Sequence, residues 1–314
     1  MGAMRINQFG IGFLLILALG NPLEALKLQG RTPSVNNAVF LLDQEVIISQ
    51  TISVRKQRKE TTTSFFLTFS TGQSGVFSNR AMVGSGGSLM YYGIYNDGTN
   101  RNILKDLSTQ PDSSEVLTGT FAINDNTSQE VSFVVILDRD QFPLAGNYLD
   151  EVTIGLYGGT PENPETLNPI ETAVMSISAV MDPVMEMSLV PEGTSFDAGR
   201  SELTLDFGTL FNGQTRNADL LVRSNSNYSV LLRSNNSGRM PIRDTADTSV
   251  VPYSLSVNGS LLDLGSGTDQ TAIPTGTPST ENGTRYKLSV VIGDFGMASE
   301  GTYSDVLTIT LVAQ

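Results

Sequence analysis

The sequence predicts an all-β chain built as two tandem β-sandwiches, and three observations carry that prediction. Short runs alternate apolar and polar residues, the period-2 mark of a half-buried strand. Residues 303–312 show it best: Leu307, Ile309 and Leu311 share one face while Thr308 and Thr310 take the other. Turn residues punctuate these runs, and no helical stripe follows the N-terminal segment. Finally, the chain repeats itself in order at an offset of about 155 residues, near a typical domain size. Gly146, Tyr148, Asp150, Val152 and Ile154 stand where Gly301, Tyr303, Asp305, Leu307 and Ile309 stand later. Upstream, residues 133–137 parallel 288–292, and 91–98 parallel 252–259.

Composition bounds the function. The 314 residues suffice for two domains with their own cores, and the charged fraction is low at 16%. A net charge of −13 argues against a nucleic-acid partner. There is no Cys and no His. Disulfides, thiolate nucleophiles and Cys/His zinc sites are therefore excluded, and the usual general base is missing. No enzyme, metal or cofactor is expected.

Residues 1–25 read as a secretory signal peptide: Arg5, a short apolar run at 11–19, then Asn21-Pro22. Cleavage after Ala25 or after Gly20 both fit. The apolar run is too short for a membrane anchor, and no later segment could span a bilayer as a helix. The mature chain is thus expected in the periplasm or at the cell surface.

Taken in order, residues 26–37 are polar and expected to be flexible. Residues 39–42, 46–48 and 51–54 read as a first strand or two, and the basic run 55–59 as a solvated turn. Phe65, Leu67 and Phe69 alternate in a strand. The Gly/Ser-rich stretch 71–88 holds Val76, Phe77, Met82 and Val83, either as an exposed contact surface or tucked into the sandwich end. Tyr91, Tyr92 and Tyr95 can stack on a sugar or simply fill a strand. Asp138 and Asp140 form a surface turn rather than a catalytic pair, and the acidic turns 96–102 and 124–130 lack the calcium-loop pattern. Three prolines in 160–169 suggest a linker. The expected organisation is a first sandwich over 26–168 and a second over 169–314.

After the linker, residues 171–181 alternate as a strand. Val174, Met175, Ile177, Ala179 and Met181 are its candidate completing residues, placed to finish the first sandwich in cis. Strands are then expected over 203–208, 218–223, 228–233, 252–257, 286–292 and 303–312, with a long loop at 265–282. Tyr303, Leu307, Ile309 and Leu311 mark a last strand whose outer edge is left for another chain.

The second half resembles a spore coat protein U domain, the pilin-like module of archaic, Csu-type chaperone–usher pili. The resemblance rests on Leu205-Asp206-Phe207-Gly208, Arg239-Met240, 252–255, and above all 300–305 followed by 308–311. The first half, with 146–150 and 92–95, is a looser copy. The chain departs from many such domains in having no disulfide.

The resemblance implies immunoglobulin-like sandwiches, the second lacking its last strand, which a neighbouring subunit supplies by donor-strand complementation. It implies a periplasmic chaperone, an outer-membrane usher and a neighbouring pilin as partners. Because residues 26–37 make a poor donor, the chain is expected at the fibre tip, attaching through apolar loops at the far end of the first domain. The residues selected for that role are Phe40, Leu41, Val76, Phe77, Met82 and Val83, with the ligand, a surface or a glycan, left open. A ligand-free structural pilus or coat subunit, or a free-standing secreted binding module, are the alternatives.

Overall fold

Alternating runs become paired strands throughout the computed structural model, which describes residues 26–314 apart from 41–43, 58–60, 98 and 244–245. The expected signal segment 1–25 and the candidate Leu41 lie outside the described residues. The first half contains β1 (Leu26–Gln29), β2 (Val35–Val39), β3 (Val46–Lys56), β4 (Ser64–Phe69), β5 (Arg80–Gly84), β6 (Leu89–Tyr95) and β7 (Leu117–Thr120). It continues with β8 (Ser128–Leu137), β9 (Gly146–Thr160), β10 (Asn163–Pro164) and β11 (Glu171–Met181).

These strands hydrogen-bond in the order β1-β3-β8-β6-β5-β9-β11-β2, with β4 also on β9 and β7 on β4. The path wraps one core of alternate side chains, among them Phe65, Phe69, Phe133, Val152, Ile154, Met175 and Ile177.

The second half contains β12 (Met185–Pro191), β13 (Thr215–Ser224), β14 (Tyr228–Ser234), β15 (Arg239–Pro241), β16 (Val250–Val257), β17 (Ser260–Leu262), β18 (Gln270–Gly276), β19 (Thr284–Ile292) and β20 (Leu307–Ala313). One sheet runs β12-β13-β19-β16-β15 and the facing one β18-β14-β20. Between them lies a separate core that includes Leu220, Tyr228, Val230, Leu255 and Tyr286.

The pairings match the two halves strand for strand. β3 and β8 pair as β13 and β19 do, and β6 joins β8 as β16 joins β19. Likewise β4 lies between β7 and β9 as β14 lies between β18 and β20.

Four local expectations change. Residues 26–37 are not a free polar stretch: β1 pairs β3 and β2 pairs β11, burying Leu26 and Val35. Pro33 falls between the two strands and breaks neither. Lys56 is fully buried rather than solvated, its amine donating to the Ala122 carbonyl at 3.1 Å. The expected loop 265–282 contains β18, whose few apolar side chains, Ala272 and Ile273, pack on the core. Residues 203–208, expected as a strand, join no ladder, although Leu203, Leu205 and Phe207 are half-buried against the core.

Candidate functional site

The repeat is visible in single hydrogen bonds. The Tyr148 hydroxyl donates to the Leu144 carbonyl, four residues upstream, at 2.6 Å, and Tyr303 donates to the Ser299 carbonyl at 2.5 Å. Tyr92 donates to Oδ2 of buried Asp150 at 2.6 Å, and Tyr253 to Asp305 at the same distance. Asp150 also accepts from the Gln73 amide at 2.9 Å. A side chain on Gly72, whose φ is +65°, would collide with that carboxylate. Arg80 lies alongside, fully buried, donating to the carbonyls of Phe69, Ser70 and Leu104. Burial lowers its guanidinium to about 10, with nearby Tyr92 and Asp150 opposing the shift. This buried knot ties 70–80 to β6 and β9, with the Arg80 guanidinium 5.2 Å from the Phe77 ring.

Where the halves differ, a site emerges. In the first half β11 lies between β9 and β2, antiparallel to β9 from Glu171↔Leu156 to Met181↔Gly146 and parallel to β2. Met175, Ile177, Ala179 and Met181 point into the core with at most 2% exposure, whereas Val174 faces outward. On β9, Val152, opposite Met175, and Ile154 and Leu156 further along the same ladder are wholly buried.

In the second half Leu307, Ile309 and Leu311 hold the matching positions but are only half-buried. β20 pairs with β14, and its other edge has no strand partner among the described residues. Leu203, Leu205 and Phe207 of the 203–208 segment present a second half-buried row to the same core. That segment corresponds to β2 by its place between β12 and β13. Tyr303 is not part of the open edge. It precedes β20, bridges Ile242 and packs with Met240, Val251 and Ile292.

The residues selected for surface attachment scatter. Met82 is in strand β5 and Phe40 hydrogen-bonds beside β11; both are buried, Met82 completely. Alternation in β5 turns Met82 inward, so it is core rather than contact surface. Phe77 is half-buried under Arg80, Val83 is half-buried, and Val76 is exposed at 49%.

Nor are these residues at the far end. Phe40 lies beside Val180 and Val83 opposite Leu149, at the end of the sandwich where β11 leaves for the second half. Val76 and Val83 line a cavity of about 280 Å³ on that flank, with Gln73, Ser74, Asn79, Leu89 and Tyr91.

The opposite end is formed by the turns 61–64, 121–127 and 158–170. Phe121 donates its amide to the Thr63 carbonyl, and Thr62 bonds Glu165 at 2.8 Å. Phe65 and Phe121 pack beneath in a tilted pair, with ring centroids 5.4 Å apart. Ile123 and Leu167 project from this end, 76% and 84% exposed. Which turns share an end depends on long-range pairing, so these two residues were invisible to local reading.

Among the described residues no cluster of three or more His, Cys, Asp or Glu is placed to hold a metal ion. No helix among them is long and apolar enough to cross a membrane.

The family description Spore Coat Protein U domain matches residues 38–155. The match falls on the first half, the one that looked like the looser copy. No curated protein matches the chain. Among solved structures, the chain is similar at 13% identity to the chaperone-tip adhesion subunit pre-assembly complex of Csu pili from Acinetobacter baumannii, with 91% of this chain and 99% of that chain covered and a TM-score of 0.40. It is similar at 12% identity to the CupB6 tip adhesin from Pseudomonas aeruginosa, covering 91% and 94%, TM-score 0.40. It is similar at 8% identity to CfaE, the adhesive subunit of CFA/I fimbria of enterotoxigenic Escherichia coli, covering 90% and 93%, TM-score 0.38.

Proposed function

Residues 38–155 match the Spore Coat Protein U domain description, and from that match we propose that the chain is a subunit of a chaperone–usher surface pilus, placed at its tip and mediating attachment. The observation that carries the reading is the contrast between β9 and β20. The same three apolar positions are wholly buried where β11 covers them and half-buried where β20 stands at an edge. An extended strand from a neighbouring subunit would add to β20 and cover that row, gaining a backbone ladder and the burial of alternate side chains. Each large apolar side chain fully buried contributes about 1.5–3 kcal/mol, and a bare edge invites unwanted pairing. A periplasmic chaperone would shield it before an outer-membrane usher delivers the subunit.

The tip position is supported by how residues 26–56 are used. Leu26–Gln29, Val35–Val39 and Val46–Lys56 all pair within their own sandwich, so none of them is a free extension. The first domain, 26–168 completed by 171–181, is the attaching one, and Ile123 and Leu167 at its far end are the residues that meet the surface. The second, from Met185 onward, is the acceptor.

Thermal melts test the reading. One sample is the mature chain. The other carries a flexible linker and a copy of Glu171–Met181 after Gln314. The melting temperature of the second half is expected to rise in the extended chain, by a few degrees for each kcal/mol gained. Equal melting points would show that the edge of β20 accepts no strand, and the pilus reading would fall.

A further inference from the structure

The joint between the halves is made by a loop that the second half repeats. Residues 138–145 connect β8 to β9, and 293–300, the first part of the 293–306 connection from β19 to β20, match them without a gap in the repeat. Tyr148 and Tyr303 anchor both loops by the same four-residue return. In this register Phe142 corresponds to Met297.

Phe142 is covered. Its ring lies 5.9 Å from the guanidinium of Arg223 on β13, which also stacks on Phe196 at 5.3 Å and is paired with Glu186 of β12. Three residues further on, the Ala145 amide donates to the Asn225 carbonyl at 2.9 Å. Asn225 in turn holds the connection 182–184, bonding the Asp182 carbonyl and the Val184 amide. The loop after β8 is thus the seat on which the body downstream of β11 rests.

Met297 is fully exposed. Next to it is the 208–213 loop, joined by Asn212 to Asp294 at 3.0 Å and by the Gly213 amide to the Ile292 carbonyl, and its Phe211 is 60% exposed. A strand laid antiparallel on β20, as β11 lies on β9, would leave the sandwich at this end.

We propose that Met297 and Phe211 form the docking seat for the body of the subunit whose strand enters beside β20. The partner is a second β-sandwich that follows its strand after a short connection and presents an aliphatic or guanidinium surface to Met297, as Arg223 presents one to Phe142. The proposal rests on the strand-acceptor reading above and adds to it a contact outside the strand groove.

Two extended chains separate the proposal from that reading. One carries a linker and residues 171–181 after Gln314, giving the strand alone. The other carries residues 165–314 after Gln314, with Met297→Leu in the added copy so that the original Met297 is read alone, giving the strand and a body with its own Arg223. Hydrogen peroxide converts exposed methionine to the sulfoxide, and peptide mass spectrometry follows Met297 separately. Oxidation of Met297 is expected to be several-fold slower with strand and body than with the strand alone. The Met297→Asp variant of the longer chain is expected to keep the raised melting temperature while small-angle scattering shows the added body loosened.

If both extensions raise the melting temperature but Met297 oxidises equally fast in both, the docking seat is wrong and the acceptor reading stands. If neither raises it, both fall together.

Discussion

Tyr253 on β16 donates its hydroxyl to Oδ2 of Asp305, 2.6 Å away, tying the middle of one sheet to the turn that starts the last strand of the other. Asp305 also accepts from Ser234 at 2.5 Å, from the Asn236 side chain at 2.7 Å and from the Val306 amide at 2.8 Å. Removing a partner from such a cluster orphans its donors, at about 1–3 kcal/mol for each buried group left unpaired. Asp305→Ala is expected to lower the second half's melting transition and Asp150→Ala the first half's, each sparing the other. Calorimetry of the two variants reads this directly.

Burial first, and then the bond to Asp305, push the Tyr253 hydroxyl well above its ordinary range; burial and the bond to Tyr228 do the same to Tyr286. The folded state therefore favours the protonated phenol. That contribution is fully present below about pH 10, the ordinary tyrosine value, and is lost as pH rises beyond it towards the folded values. Denaturant titrations from pH 9 upward should show the second half weakening with alkali, and Tyr253→Phe should make the slope shallower.

Within β11, alternation sorts the side chains. Ile177→Ala empties a fully buried position and is expected to cost about 2–5 kcal/mol. Val174→Ala, on the exposed face, should stay within about 0.5 kcal/mol. Chemical denaturation of the first half distinguishes them, and a similar loss for both would mean that β11 is not seated as described.

At the far end, Ile123→Asp with Leu167→Asp should leave both melting transitions unchanged, because both side chains stand in solvent. Attachment of fibres carrying the variant to an apolar surface is expected to fall sharply. Met82→Ala should do the reverse, destabilising the first half by about 2–5 kcal/mol without touching Ile123 or Leu167. Undiminished attachment by the double variant would place the contact elsewhere.

Much of this architecture was legible in the residues. Period-2 alternation identified β4, β11, β14 and β19, and the repeat of Tyr148-to-Ile154 at Tyr303-to-Ile309 announced two like halves. Harder to read was whatever depends on partners distant in sequence. Leu26 and Val35 sit among polar residues, and only β3 and β11 make strands of them. Ala272 and Ile273 are too few to signal β18. Residues 203–208 were expected as a strand and join no ladder: Leu203, Leu205 and Phe207 supply the pattern, but a ladder needs a second strand as well. For the proposed attaching surface, apolar loop residues could be found locally, but their end of the sandwich is set by register, and Met82 turned inward with its strand.

The geometry of β11 has a mechanical consequence. Eleven consecutive residues lie along β9, and the chain leaves for the second half through 182–184 at one end of that ladder. A pull along the long axis therefore loads the ladder in shear. Its hydrogen bonds run across the strands and share the force, where a peeled hairpin would yield them one at a time. How long the joint survives tension is a matter of rate rather than of equilibrium. A strand entering beside β20 in the same sense would pass that load along the fibre in the same way.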